Sequence, residues 1–141
     1  MTTDVAGFGI DRRTGRPLAG WLHTIQSIEV IFTTRIGERV MRRHFGNGGL
    51  VLLGRAMTAE NVSRFWALIG IAIDQWEPRF KINRFVVPTS NTPETVRQGA
   101  LTLQIEGVYR PRAHLGDFTP EVGLRSVGVG LAANGITVRS A

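Results

Sequence analysis

The chain has 141 residues and a formal net charge of +6, which is enough for one domain with a hydrophobic core. It contains no cysteine, which excludes disulfide frameworks and thiolate metal sites. We expect no signal peptide, because Asp4 and Asp11 interrupt an N-terminal segment that has no apolar core. The longest strongly apolar run, residues 65–73, is too short to span a bilayer, so we expect a soluble protein without membrane contact.

The basic residues are almost all arginine, since Lys81 is the one lysine among the 17 basic residues. Arginine favours bidentate contacts with carboxylates and phosphates, so this composition indicates interfaces. Nucleic acid is an acidic partner that a basic chain could bind. The arginines are spread along the sequence without interleaved aromatic residues, however, and nucleic-acid binding is therefore the less favoured interpretation.

Residues 1–20 predict an N-terminal arm without a core element. The dipeptide Thr14-Gly15 indicates a turn, which would display the arginines that flank it. Phe8 and Ile10 could hold this arm against a neighbouring surface.

Residues 21–34 predict the first helix. Apolar side chains recur there at steps of three and four residues, which is typical of an amphipathic helix. They are Leu22, Ile25, Ile28, Ile31 and Phe32. Because several of them are β-branched, packing must stabilise this helix.

A short basic segment follows at residues 38–45, with Arg39, Arg42 and Arg43 around two apolar residues. The glycine-rich run at residues 46–49 predicts a turn. It lacks the lysine and hydroxyl residues of a phosphate-binding loop. The apolar run at residues 50–53 could form a strand or a buried turn.

Thr58 is a suitable N-cap for a second helix that ends near Gln75. Residues 65–73 of this helix are apolar on nearly every side, so we expect cover from more than one direction, part of it from a partner.

The second helix must end at the segment Trp76-Glu77-Pro78-Arg79, because proline cannot continue a helix. Glu77 and Arg79 are two residues apart, and such positions project to the same side of an extended segment. One interpretation is a docking surface that presents a carboxylate together with a guanidinium. The other interpretation is a local ion pair that ends the helix, which would contribute about 0–1 kcal/mol to stability if it is exposed.

Two strands are predicted next, at residues 79–87 and 100–109, and an antiparallel pair is expected. A polar loop at residues 89–98 separates them. The C-terminal part is rich in glycine and valine, and Asn134-Gly135 indicates a hairpin. We interpret residues 111–141 as a β-ribbon arm that completes a sheet with another subunit, so that deletion of residues 119–141 should spare folding.

No catalytic or cofactor-binding constellation is recognisable. The histidines, His23, His44 and His114, are scattered without ligand spacing. Two pairs of carboxylates, Asp74 with Glu77 and Glu29 with Glu38, are formal candidates for glycoside hydrolysis, but only their acidity supports them. We therefore expect no enzyme, no cofactor and no metal.

Four blocks in consistent order resemble the phage baseplate assembly protein W family. They are residues 9–15 (GIDRRTG), 23–27 (HTIQS), 33–46 (TTRIGERVMRRHFG) and 76–79 (WEPR). This baseplate wedge family also includes the so-called lysozyme-like tail proteins and a type VI secretion baseplate subunit. The chain departs from the family pattern at Arg35, where a proline is common, and in the length of its tail after Tyr109.

The resemblance implies a compact α+β domain, and the predicted elements give two main helices packed on a mostly antiparallel sheet, with extended terminal arms. The implied domains are an arm at 1–20, a wedge-type domain at 21–110 and a C-terminal extension at 111–141. It implies a structural subunit of a contractile tail baseplate, present in several copies around the tail tube, that joins other wedge proteins to the first sheath layer and is assembled in the host cytoplasm. Glu77, Pro78 and Arg79 match the family's wedge-contacting tripeptide, and we expect Arg39, Arg42 and Arg43 to bind partners as well. A cell-wall glycosidase is the alternative.

Overall fold

The computed structural model describes residues 7–52, 58–98, 100–132 and 135–140. The strands in this part of the chain are β1 (Phe8–Ile10), β2 (Pro17–Ala19), β3 (Phe80–Val86), β4 (Leu101–Tyr109), β5 (Leu124–Ala132) and β6 (Gly135–Ser140). The helices are α1 (Gly20–Thr33), α2 (Ala59–Trp76) and α3 (Pro93–Arg97), and short 3₁₀ turns occur at Gly48–Leu52 and Ala113–Leu115.

The N-terminal segment forms a small hairpin on α1. β1 and β2 pair antiparallel, and Gly15 adopts a left-handed φ of 71° in the turn between them, as the sequence predicted. The side chain of Gln26 on α1 fixes the hairpin, because its Nε2 donates to the carbonyl of Ile10 at 2.9 Å and its Oε1 accepts from the backbone of Arg12 at 2.9 Å. The arm is therefore docked on the domain.

Helix α2 begins and ends where local chemistry requires. The Thr58 hydroxyl accepts from the backbone N–H of Asn61 at 3.3 Å, which confirms the expected N-cap. Phe65, Ile69 and Ile73 face the core, whereas Ile71 is 60% exposed. That a partner protein covers this exposed side of α2 stays a prediction. In the described ranges, no helix is long and apolar enough to cross a membrane.

The four-stranded sheet has the order β3-β4-β5-β6, and every neighbouring pair is antiparallel. Alternating residues of β4 enter the core, among them Leu101, Leu103 and Ile105, while Thr102 is exposed. Core residues of α1 and α2 pack against those of the sheet in one cluster. The predicted α+β class, with two main helices on an antiparallel sheet, is confirmed.

The C-terminal strands form the predicted β-ribbon, and this ribbon extends the chain's own sheet; its pairing with another subunit stays a prediction. β5 pairs with β4 from Leu124 to Leu131, and Val127 and Val129 are fully buried. Alternating glycines leave few large side chains on this ribbon, which is why it resembled a weak hairpin in the sequence. Because its valines complete the core, its deletion would remove core packing.

Several local features refine the predictions. The apolar run at residues 50–53 could have been a strand or a buried turn. Its first three residues belong to the 3₁₀ turn Gly48–Leu52, and its last residue, Leu53, lies outside the described residues. The predicted polar loop contains α3, which is capped by Thr92. Ala132 lies opposite Gly135 at the end of the β5–β6 hairpin, while Asn134 itself lies outside the described residues.

We predict that Val129→Ala lowers the free energy of unfolding by about 2 kcal/mol, since it removes two buried methyl groups and leaves a cavity. The matched control is Val122→Ala, because Val122 is 100% exposed while Val129 is 0% exposed. Urea unfolding followed by circular dichroism measures both variants. If both variants left the free energy of unfolding unchanged, β5 would not contribute to the core.

Candidate partner-binding site

The segment after α2 turns sharply and then enters β3. The backbone N–H of Glu77 still donates to the carbonyl of Ile73 at 2.8 Å, and the N–H of Phe80 donates to the carbonyl of Glu77 at 3.2 Å. Pro78, which lies between them, is exposed. This turn directs the side chains of Glu77 and Arg79 to the same side, as their spacing predicted.

The two side chains form a bidentate ion pair. Arg79 Nε donates to Glu77 Oε1 at 2.7 Å, and Nη2 donates to Oε2 at 2.8 Å. Side-chain exposure is 3% for Glu77 and 8% for Arg79. The pair is therefore buried rather than displayed on a surface, and the estimate for an exposed pair does not apply to it. Partner contact through these two side chains stays a prediction.

A histidine 56 residues away from Arg79 in sequence completes this buried cluster. Nη1 of Arg79 lies 3.0 Å from Nδ1 of His23. Because a guanidinium can only donate, Nδ1 must be the unprotonated nitrogen in this contact. A Cβ placed on Gly7 would lie 2.7 Å from Nη1, so the backbone just before β1 packs closely against the guanidinium.

The protonation of His23 is coupled to this cluster. Burial of the ring and then the positive charge of Arg79 lower the pKa of His23 from its ordinary value of 6.5. His114 acts in the same direction, whereas Glu77 and the backbone of Gly7 oppose the decrease. The neutral ring is the form that accepts from Arg79.

The predicted basic segment is an exposed loop, which we call the basic loop (residues 38–45). Arg39, Arg42 and Arg43 are all exposed, and none of them forms an ion pair with a carboxylate in the described part of the chain. The carbonyl of Arg43 accepts from the N–H of Gly37 at 2.7 Å, which closes the loop at its base. The loop thus displays uncompensated positive charge.

Aromatic contacts fix the basic loop against the end of α2. The rings of His44 and Phe45 lie 5.4 Å and 5.0 Å from that of Trp76, the residue before Glu77. The guanidinium of Arg39 lies 4.1 Å above the Phe45 ring. Sequence spacing gave no sign of this connection, which places the two sets of predicted site residues side by side.

The apex of the basic loop is apolar. Val40 is 84% exposed and Met41 is 81% exposed, between the flanking arginines. An exposed apolar pair surrounded by arginines is typical of protein interfaces, in which arginine and methionine are enriched. This composition suits an acidic, partly apolar protein surface.

The carboxylates considered for hydrolysis are already engaged. Glu29 accepts from Arg13 at 2.8 Å, and Asp74 accepts from Lys81 at 3.0 Å. Glu38 accepts from the backbone of Arg35 at 2.8 Å. With Glu77 bound by Arg79, neither proposed pair offers the free acid and free base that glycoside hydrolysis requires. Among the described residues, no group of histidine and carboxylate side chains could hold a metal ion.

These features define a small α+β protein whose exposed chemistry is suited to binding other proteins. Over residues 23–113 the chain matches the family described as baseplate wedge protein gp25. The match covers more than half of the sequence, and the protein belongs to that family. It is a structural baseplate component of the contractile-tail class, which confirms the resemblance inferred from the four sequence blocks.

Solved structures have the same fold. A chain of the postcontracted baseplate of pyocin R2, determined by cryo-EM, is 29% identical, with a TM-score of 0.60 over 73% of this chain and 98% of that chain. A putative tail lysozyme from Geobacter sulfurreducens is 23% identical, with a TM-score of 0.55 over 88% of this chain and 92% of that chain. The second likeness concerns the fold alone. A comparison with curated proteins finds no match.

We predict that Glu77→Ala lowers the free energy of unfolding by about 3–5 kcal/mol, because it leaves the buried charge of Arg79 without a partner. Glu60→Ala is the control, since the Glu60–Arg64 pair is exposed, with side-chain exposures of 72% and 62%, and should contribute less than about 0.5 kcal/mol. Chemical denaturation measures both. If Glu77→Ala were as stable as the native chain, the pair could not be buried as described.

We also predict that the protein loses stability as the pH falls through about 6.5. The folded-state pKa of His23 is lowered, so the unfolded chain binds more protons in this range and acid favours unfolding. In His23→Asn, an amide oxygen can accept from Arg79 without titrating, and the pH dependence should be shallower. Unfolding at a series of pH values from about 7.5 to 5.5 tests this. Identical slopes for the two proteins would refute the coupling.

Proposed function

We propose that this protein is a baseplate wedge subunit that joins neighbouring wedge proteins to the first layer of the tail sheath. In this proposal several copies surround the tail tube, and assembly takes place in the host cytoplasm. Membership of the baseplate wedge family supports the wedge role. The likeness to a chain of the pyocin R2 baseplate supports a position in a contractile machine.

The observation that carries the proposal is the basic loop. Its arginines have no acidic partner in the described part of the chain, and its apolar apex is more than four-fifths exposed at Val40 and Met41. Charge complementarity steers association and selects partners. We therefore assign the loop to contact with an acidic surface of a wedge protein. The loop contacts Trp76, which directly precedes the tripeptide at residues 77–79, and Pro78 is the exposed member of that tripeptide.

The edges of the sheet supply the proposed link to the sheath. Within the described residues, β3 pairs with β4 alone and β6 pairs with β5 alone. Each outer strand thus has one edge at which another chain could add a strand through backbone hydrogen bonds. We assign one of these edges to an arm of a sheath subunit.

We predict that Arg43→Glu reduces recovery of wedge partners by tenfold or more when the tagged chain is purified from cells that express the complete tail cluster. Reversal of one interfacial charge removes an attraction and adds a repulsion, and each tenfold change corresponds to about 1.4 kcal/mol. Arg97→Glu is the matched control, because Arg97 is also exposed and lies on α3. Both variants should melt like the native chain.

Recovery of the partners at native levels with Arg43→Glu would exclude the basic loop as their binding site. Failure of the native chain itself to retain any baseplate protein would contradict the proposed wedge role.

A further inference from the structure

A second charged site borders the Glu77–Arg79 pair, since Glu77 contributes to its lining. A pocket of about 270 Å³ is lined by residues of α2, β3 and the segment after β4, among them Asp74, Pro78, Phe80, Lys81, Arg110 and Phe118. Its volume is below the roughly 300–1,000 Å³ of sites for small-molecule ligands, so it suits a side chain better than a cofactor.

Arg110 is the cation of this pocket that has no acidic partner. Its side chain forms no hydrogen bond or ion pair with the described residues, and its Nε is buried without an acceptor. The backbone is nevertheless held firmly, since the N–H of Arg110 donates to the carbonyl of Arg79 at 2.7 Å. Because buried polar groups are normally satisfied, the unpaired Nε indicates a guanidinium that is available to an external acceptor.

The other charges of the pocket neutralise one another. Both oxygens of Asp74 accept from Lys81, at 3.0 Å and 3.1 Å, and the carboxylate of Glu77 is occupied by Arg79. This leaves one positive charge in excess, that of Arg110. An anion entering the pocket therefore meets an uncompensated guanidinium.

The remaining lining residues, Pro78, Phe80 and Phe118, are apolar, and of these Pro78 and Phe118 are exposed. The Phe118 ring lies 6.0 Å from the guanidinium carbon of Arg110 and is 57% exposed, so it forms a lip at the opening. Its position is fixed by the turn around Asp117, which pairs with Arg112 at 2.6 Å and accepts from the N–H of Thr119 at 3.0 Å. A carboxylate attached to an apolar stem fits such walls better than a fully hydrated anion does.

We propose that this pocket binds a glutamate or aspartate side chain of a neighbouring baseplate protein, with Arg110 as the bidentate anchor and Phe118 packed on the stem of that side chain. This second docking point is separate from the basic loop, and its biological partner rests on the proposed baseplate function. Carboxylate recognition itself does not depend on that function.

The first test is NMR titration of the full-length protein, observed at the arginine Nε–Hε resonances. N-acetylglutamate with its α-carboxyl blocked as the methylamide should shift the Arg110 signal with saturation in the millimolar range, as expected for a ligand of this size. The corresponding glutamine methylamide, which has the same shape and no charge, should not. With binding followed in all variants at the backbone amide signals of the pocket residues, Arg110→Gln should weaken binding of the carboxylate about tenfold or more, whereas Arg97→Gln should leave it unchanged.

Two outcomes of the titration would overturn the proposal. One is equal response to the acid and to the amide. The other is saturable binding of inorganic phosphate without binding of the carboxylate, which would assign the pocket to a phosphate source such as nucleic acid.

The second test separates this inference from the proposed function. Arg110→Gln, with Arg97→Gln as control, is purified from cells that express the tail cluster. Loss of a baseplate partner with Arg110→Gln supports the pocket. If Arg110→Gln recovers the baseplate partners at the same level as the native chain, the pocket is not a docking point and the proposed wedge role is unaffected. If the native chain retains nothing, the wedge role fails, and the titration still decides whether the pocket binds carboxylates.

Discussion

The burial of two opposite charges at the end of α2 is the constraint on which the rest of the structure depends. Removing a carboxylate and a guanidinium from water costs several kcal/mol for each ion, and attraction within the enclosed pair compensates only if its geometry is excellent and further hydrogen bonds satisfy the remaining groups. Glu77 and Arg79 satisfy each other through two short hydrogen bonds, and His23 accepts from a further nitrogen. The enclosure requires α1, the N-terminal hairpin and β3 to meet at one place.

This burial gives the tripeptide a role in positioning. Trp76, one residue before the pair, supports the basic loop through His44 and Phe45. The carbonyl of Arg79 fixes the backbone of Arg110 on the opposite side. Two exposed positive sites are thus attached to one rigid internal pair, so their separation is set by the fold. The paired charges thus fix the backbone beside the two sites that we propose to bind partners, the basic loop and Arg110.

The sequence predicted those features that local chemistry controls. The cap at Thr58 and the alternation in β4 depend on neighbours along the chain, and both were confirmed. The burial of Glu77 and Arg79 was missed because their spacing is the same for an exposed pair and a buried one. The place of β5 was missed because its glycines reduce the apolar signal, while the valines between them fill the core. These features depend on contacts between residues distant in sequence, which periodicity cannot report.

The most direct test of this account is a cryo-EM structure of the assembled baseplate at a resolution that shows side chains. The account predicts that Glu77 and Arg79 remain paired within one chain, while the basic loop contacts acidic side chains of a neighbouring wedge protein. A structure in which Glu77 and Arg79 separate and bind the neighbour, with the basic loop free in solvent, would contradict it.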